Sequence, residues 1–346
     1  MPATDVHFNG AVNMPDAETV FRELASRVGD LAHAYPDGET GPLNRWAMYP
    51  LDALLATEGL ADAGVRRFMR TNDEFPQVKI EDGVDEIRMS DLGYTDLFLA
   101  GYELFGRLRD EGVIPASVRF QVQLPTPTAP LSLLVRPQDF ARLYGPLESA
   151  MFADLERFLA AVPHDDVEVQ WDVAAEFSLL EDEDWYKFGE FRDPDSVVPN
   201  LARCIDVVPE DVRVGLHLCY GDYKHGHESE PESLGTQVKL VNDAAGAAHR
   251  RIDFAAFTVP QNRDDEEFFE PLKELRPESV GRSYFGIVPY YPSRQPQGTV
   301  ARQAANIDRY VADWGVCTEC GMGRHEAETV PNLLDLHRSI VENVAV

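Results

Sequence analysis

The stretch Gly215-Leu216-His217-Leu218-Cys219-Tyr220-Gly221-Asp222 alternates as an extended chain does. Successive side chains of a strand point to opposite faces. Val212, Val214, Leu216 and Leu218 therefore share one side, and Gly215, His217 and Cys219 the other. An imidazole and a thiol two residues apart on one face form a chelating pair, and soft sulfur with nitrogen selects zinc among the common metals. The competing reading is a hydrogen-bonded buried histidine beside an inert cysteine.

Outward from this strand the pattern alternates between strand and helix. Upstream, Ala17 to Val28 has helical spacing and feeds a strand at Leu31 to Tyr35, which breaks at Pro36-Asp37-Gly38-Glu39. A helix over Asp91–Glu111 leads to a strand Val118–Leu124, a helix over Pro137–Val162 to a strand Val167–Asp172, and a helix over Ser196–Val207 to the His217 strand. Downstream come helix Glu232–Ala247, strand Ile252–Phe257, helix Glu266–Leu275, strand Ser283–Val288, helix Thr299–Trp314, strand Gly315–Thr318 and helix His325–Asn343. Residues 46–90 read as an irregular insertion or lid, with a helix at Leu60–Arg70 and one further strand within Gln77–Met89. About eight strands separated by helices predict an α/β fold, a TIM-type (β/α)8 barrel forming one domain over residues 1–346. An open doubly wound sheet is the alternative, but no Gly-x-Gly-x-x-Gly follows any strand.

Composition narrows the partners. The 31 basic and 60 acidic residues give a net charge of -29, which argues against nucleic acid and against an anionic membrane surface. No apolar run approaches the roughly 18 residues of a membrane span, and Met1-Pro2-Ala3-Thr4-Asp5 lacks a signal-peptide pattern; the expectation is a cytoplasmic protein, with a homo-oligomer left open. Four cysteines, two of them in Cys317-Thr318-Glu319-Cys320, point to metal or redox chemistry rather than a disulfide framework.

In a barrel the C-terminal ends of the strands share one mouth. His217, Cys219 and Cys320 fall at such ends and are the candidate metal ligands, three protein donors with a fourth position open as in catalytic zinc. Asp172 and Glu176 are the candidate catalytic carboxylates. Glu39, Gln170, Tyr220, Asp222 and Arg324 are the candidate substrate-binding residues. Blander readings stand beside these. Cys317 could complete a closed Cys3His structural site, Asp172 and Glu176 could belong to ordinary ion pairs, and Arg324 to another. Cys204 sits in a helical pattern and reads as core; His225 and His227 read as a solvated loop; Trp46, Tyr284, Tyr290 and Tyr291 either line a pocket or pack in the core.

His217-Leu218-Cys219-Tyr220, Gln170-Trp171-Asp172 with Glu176, and Glu319-Cys320-Gly321-Met322-Gly323-Arg324 together resemble the zinc-containing C-terminal domain of the cobalamin-independent methionine synthase family, including the epoxyalkane:coenzyme M transferases, from about Gly29 to the end of the chain. The resemblance implies a TIM-type barrel, zinc held by His217, Cys219 and Cys320, a substrate thiol bound as thiolate that attacks an alkyl donor, and an Asp172 that holds the substrate's amino group. Partners would be a small-molecule thiol or alkyl donor. Two positions depart from the synthase: Pro260 stands where it has a glutamate ligand, and Ile287 where it has a histidine that protonates folate. The resemblance therefore implies alkyl or methyl transfer to or from sulfur, with methyl-folate put in doubt. The alternatives are a zinc lyase or hydrolase with water in the open position and Asp172 or Glu176 as general base, and a binding protein that is only stabilised by metal.

Overall fold

The computed structural model describes residues 3–67, 73–89, 91–181, 192–223, 226–227 and 229–342. Seven strands form one parallel, curled sheet in the order β1 (Ala34–Pro36), β4 (Arg119–Pro125), β5 (Val167–Val173), β6 (Arg213–Leu218), β7 (Ile252–Phe257), β8 (Val280–Val288) and β9 (Trp314–Thr318). The inner strands are buried along nearly their whole length, as expected where helices cover the outside of a parallel sheet. The described α-helices are α1 (Ala17–Arg27), α2 (Leu51–Ala56), α3 (Tyr94–Asp110), α4 (Thr128–Leu134), α5 (Phe140–Leu159), α6 (Ala175–Leu180), α7 (Val197–Asp206), α8 (Gly235–Ala247), α9 (Glu266–Phe269), α10 (Thr299–Ile307) and α11 (Val330–Val341). One contiguous apolar core joins helices and sheet. No described helix is long and apolar enough to cross a membrane.

This is TIM-like but not the closed eight-stranded barrel that the strand count predicts. The expected eighth strand lies elsewhere: Glu74–Ile80 (β3) pairs antiparallel with Leu60–Arg67 (β2) in a separate two-stranded sheet. Leu60–Arg67 was expected to be helical. Its side chains instead alternate between more and less exposed, and Gly64, at φ 82°, sits where the register of the pair shifts between Asp62 and Val65, a left-handed conformation that a helix does not accommodate. Between the edges of the curled sheet runs the segment Thr4–Phe8. It bridges both edges at single residues, Val6 pairing with Ala32 and with Val316, and is fastened by His7 N to Val316 O at 2.8 Å and Val6 N to Leu31 O at 2.9 Å.

Register delivers the site. β5 and β6 pair so that Asp172 lies beside His217, and β7 places Ala256 on the other side. Gly215 accommodates the ring of Phe254, since a Cβ there would meet that ring at 2.2 Å. Inside the curl Phe254, Ala256, Tyr284 and Cys317 pack together, an apolar floor below the strand ends.

Candidate functional site

At the C-terminal end of the sheet opens a cavity of about 430 Å3 whose wall includes His217, Cys219, Cys320, Asp172, Glu39, Trp46, Asp222 and Arg324. His217 is the penultimate residue of β6, Cys219 follows that strand, and Cys320 lies two residues beyond β9. One ligand atom from each of the three lies within 4.8 Å of the others, and the two sulfurs are 3.4 Å apart. The hydrogen bond from Cys320, aided by the His217 ring, holds the Cys219 thiol well below its ordinary range against the effect of burial. That same hydrogen bond, with burial, pushes Cys320 well up.

The donor set fits zinc. Both ring nitrogens of buried His217 lack a hydrogen-bond partner among the described residues, and a buried polar atom left unbonded costs roughly 1–3 kcal/mol. A cation shared with the two sulfurs removes that cost for one nitrogen. Cys317 does not join the cluster: it lies in the apolar floor, where burial raises its thiol. All four cysteines are free, and Cys204 is buried in α7.

The carboxylates divide. Asp172 faces the cavity, and its two oxygens accept from Trp46 Nε1 and from Gln170 Nε2, both at 2.9 Å. Burial pushes it up to about 6 against the pull of His217 and these hydrogen bonds. Glu39 is raised well above the usual carboxylate range by burial and by the neighbouring charges of Asp172 and Asp37. Glu39 and Trp46 are the two non-glycine residues with positive φ among those described, at 51° and 46°; backbone of this kind costs on the order of 1–3 kcal/mol and is characteristic of functional walls. Asp222 pairs with Arg324, and the Tyr290 hydroxyl lies 2.5 Å from the other Asp222 oxygen.

Three of the sequence candidates stand back from the cavity wall. Glu176, on α6 (Ala175–Leu180), accepts from Thr126 Oγ1 at 2.6 Å. Gln170 is fully buried behind Asp172. Tyr220 turns away, stacking on Phe177 at 4.4 Å and donating to Glu181. Of the aromatic candidates, Trp46 lines the cavity, Tyr284 belongs to the floor, and Tyr291 lines a smaller neighbouring cavity with His227. His227 sits between Glu230 and Glu319 at 3.0 and 3.3 Å, while His225 lies outside the described residues. Sequence reasoning missed the N-terminal segment: Asn9, Ala11, Val12, Asn13 and Met14 form one side of the cavity. The alternation Asp5-Val6-His7-Phe8, ending at Asn9-Gly10, was the available signal.

Fold and site together define an α/β half-barrel with a His–Cys–Cys cluster at its mouth. Among solved structures, this fold is shared with a protein of Listeria monocytogenes described as a vitamin-B12 independent methionine synthase, with a TM-score of 0.55 and 16% sequence identity over 94% of this chain and 86% of that one. No family model matches the chain. No curated protein matches it by sequence.

Proposed function

We propose that the chain is a zinc-dependent transferase that binds a small thiol for alkyl or methyl transfer to or from sulfur. The observation that carries this reading is the convergence of His217, Cys219 and Cys320 on a cavity that also holds a buried, hydrogen-bonded carboxylate, Asp172; the methionine-synthase-like fold supports it. His217, Cys219 and Cys320 would hold the metal. Bound there, zinc supplies the positive charge that favours a thiol in its anionic form near neutral pH.

The chain's own groups bind and orient the rest of the substrate. Asp172 and Glu39 offer carboxyl oxygens to an ammonium or hydroxyl group, and Trp46 and Gln170 keep the Asp172 carboxylate in place. Arg324 is committed to Asp222, so the wall favours a cationic or neutral tail over an anionic one. Pro260 and Ile287, where the resembled synthase has a ligand and a proton donor, favour a donor other than methyl-folate. The hydrolytic reading is weaker because Glu176, one of its two candidate bases, stands back from the cavity with its carboxylate turned to Thr126.

The test is metal content with thiol binding. Purified protein is expected to hold about one zinc per chain, lost in Cys219→Ser and in Cys320→Ser and kept in Cys317→Ser. Binding of aminothiols, followed by sulfur-to-metal absorption of the cobalt-substituted protein, should depend on that metal. Loss of zinc in Cys317→Ser, or indifference of the cobalt spectrum to every thiol tried, would sink the reading.

A further inference from the structure

Asp172 is not the end of its hydrogen-bond chain. Gln170 precedes it by two residues on β5, so both side chains leave the same face of the strand, and Gln170 Nε2 donates to Asp172 Oδ1 at 2.9 Å. The other end of that amide, Oε1, lies 2.7 Å from His7 Nε2. Gln170 is wholly buried and His7 nearly so, so the amide itself is shielded from bulk solvent.

An amide donates only through nitrogen and accepts only through oxygen. With its nitrogen on Asp172, Gln170 presents oxygen to His7, and the contact is bonding only if His7 carries its proton on Nε2. A His7 protonated on Nδ1 alone would set lone pair against lone pair, or turn the amide and aim its oxygen at the carboxylate. Burial keeps the imidazole neutral at ordinary pH, holding it down to about 3. The ring is fixed by packing against Tyr284 and Phe254, at centroid distances of 4.8 and 4.9 Å, and its backbone N–H is tied to Val316 of β9.

We propose that His7 is a positioning residue for the site: its Nε2–H fixes the orientation of the Gln170 amide, which in turn holds the Asp172 carboxylate toward the cavity. The inference rests on the reading of Asp172 as the group that holds the substrate's cation. It gives the N-terminal segment, which bridges the edges of the sheet, a part in the site besides joining those edges.

Two substitutions separate orientation from packing. His7→Phe keeps a flat ring against Tyr284 and Phe254 but removes the donor; His7→Gln gives up the ring but can place an amide N–H near the position of Nε2. With zinc-loaded protein and cysteamine as the probe, calorimetry should show about tenfold weaker binding in His7→Phe, the scale of one lost buried hydrogen bond to a positioned group, and recovery to within about threefold in His7→Gln. Equal affinity in wild type and His7→Phe, or a larger loss in His7→Gln than in His7→Phe, would overturn the proposal. The unaltered protein supplies a measurement independent of any variant's folding: nitrogen-15 spectra of the His7 ring should show the neutral Nε2–H tautomer, and an Nδ1–H tautomer would overturn the proposal outright. Wild-type affinity for cysteamine in Asp172→Asn would instead sink the reading of Asp172, whereas the tautomer would still decide whether His7 orients Gln170.

Discussion

A carboxylate that already accepts two hydrogen bonds, as Asp172 does from Trp46 and Gln170, is held in one orientation, and its charge is what remains to offer a substrate. Asp172→Asn keeps the shape but can accept from only one of those donors. Zinc content should be unchanged, and stability should fall by about 1 kcal/mol, roughly one to two degrees in melting temperature for a chain of this length. Binding of an aminothiol should weaken by about 2 kcal/mol, the scale of a lost charge-assisted hydrogen bond. Equal calorimetric affinity, or loss of zinc, would show that Asp172 does not hold the substrate. A second residue tests burial away from the site. His337 of α11 is fully buried against Phe8, its Nδ1 2.7 Å from the Leu333 carbonyl, and burial holds it down to about 4 from an ordinary 6.5. Between those values the unfolded chain binds a proton that the folded chain does not, so this residue's contribution to stability falls as pH drops through the window. His337→Asn can keep a donor for the Leu333 carbonyl and does not titrate. Urea unfolding at pH 6.5 and at pH 4.5 should show the variant gaining on wild type by about 2 kcal/mol in all; a constant gap would mean that His337 takes up its proton in the folded protein as readily as in the unfolded chain.

At the scale of elements, the strands that carry the site were the legible part of the sequence. Strand β7 was expected at Ile252–Phe257 and has those bounds; β5 and β6 were placed within a residue or so by alternation and by the polar residues at their ends. The failures have physical causes. Strand β2 contains a bulge at Gly64, which breaks the alternation and leaves apolar spacing that imitates a helix. The Thr4–Phe8 segment alternates over only a few residues and is fastened to the sheet at isolated ones, so its alternation is a weak signal and does not mark His7. Nor can alternation show which face a residue takes once the strand has ended, and Tyr220, one residue past Cys219, turns away to Phe177. The approach of β8 to the loop that bears Cys320 depends on a residue that periodicity does not register. A Cβ on Gly286 would lie 2.7 Å from Glu319 Cα and 3.0 Å from its nitrogen, both backbone atoms with little room to move. Gly286→Ala should therefore displace the Glu319–Cys320 turn, lowering stability by about 1–3 kcal/mol and weakening zinc retention against a competing chelator. Gly145→Ala is the control. Nothing lies within 4 Å of the added methyl there, and in the helix interior the change should be neutral or stabilising by up to about 1 kcal/mol. Unchanged zinc retention in Gly286→Ala would mean that the turn relaxes without moving the sulfur.

For the molecule as a whole, the question is whether a metal held by the His–Cys–Cys cluster would serve the fold or only the chemistry. The core is assembled without it: Trp171, Trp314, Phe120 and Phe105 are fully buried in a contiguous apolar cluster that joins the sheet to its helices, whereas His217, Cys219 and Cys320 sit at one end of the strands on a cavity wall. Burial on this scale far exceeds what one metal site contributes, and small domains that depend on zinc to fold lack such a core. Stripping the metal leaves a buried imidazole with neither nitrogen bonded, at a cost of roughly 1–3 kcal/mol, and forfeits the stabilisation that any ligand of the native state confers. Treatment with a strong chelator should accordingly leave the far-ultraviolet circular dichroism unchanged and the unfolding transition cooperative, with the midpoint lowered by several degrees, and readdition of zinc should restore it. On the proposed function the same treatment should abolish aminothiol binding, because Asp172 and Glu39 would by themselves hold only the tail of the substrate. Collapse of the circular dichroism on chelation would instead mark a protein whose metal is structural, and would remove the reason to seek a reaction at this cavity; thiol binding that survives chelation would leave the fold argument intact and displace the metal from the proposed chemistry.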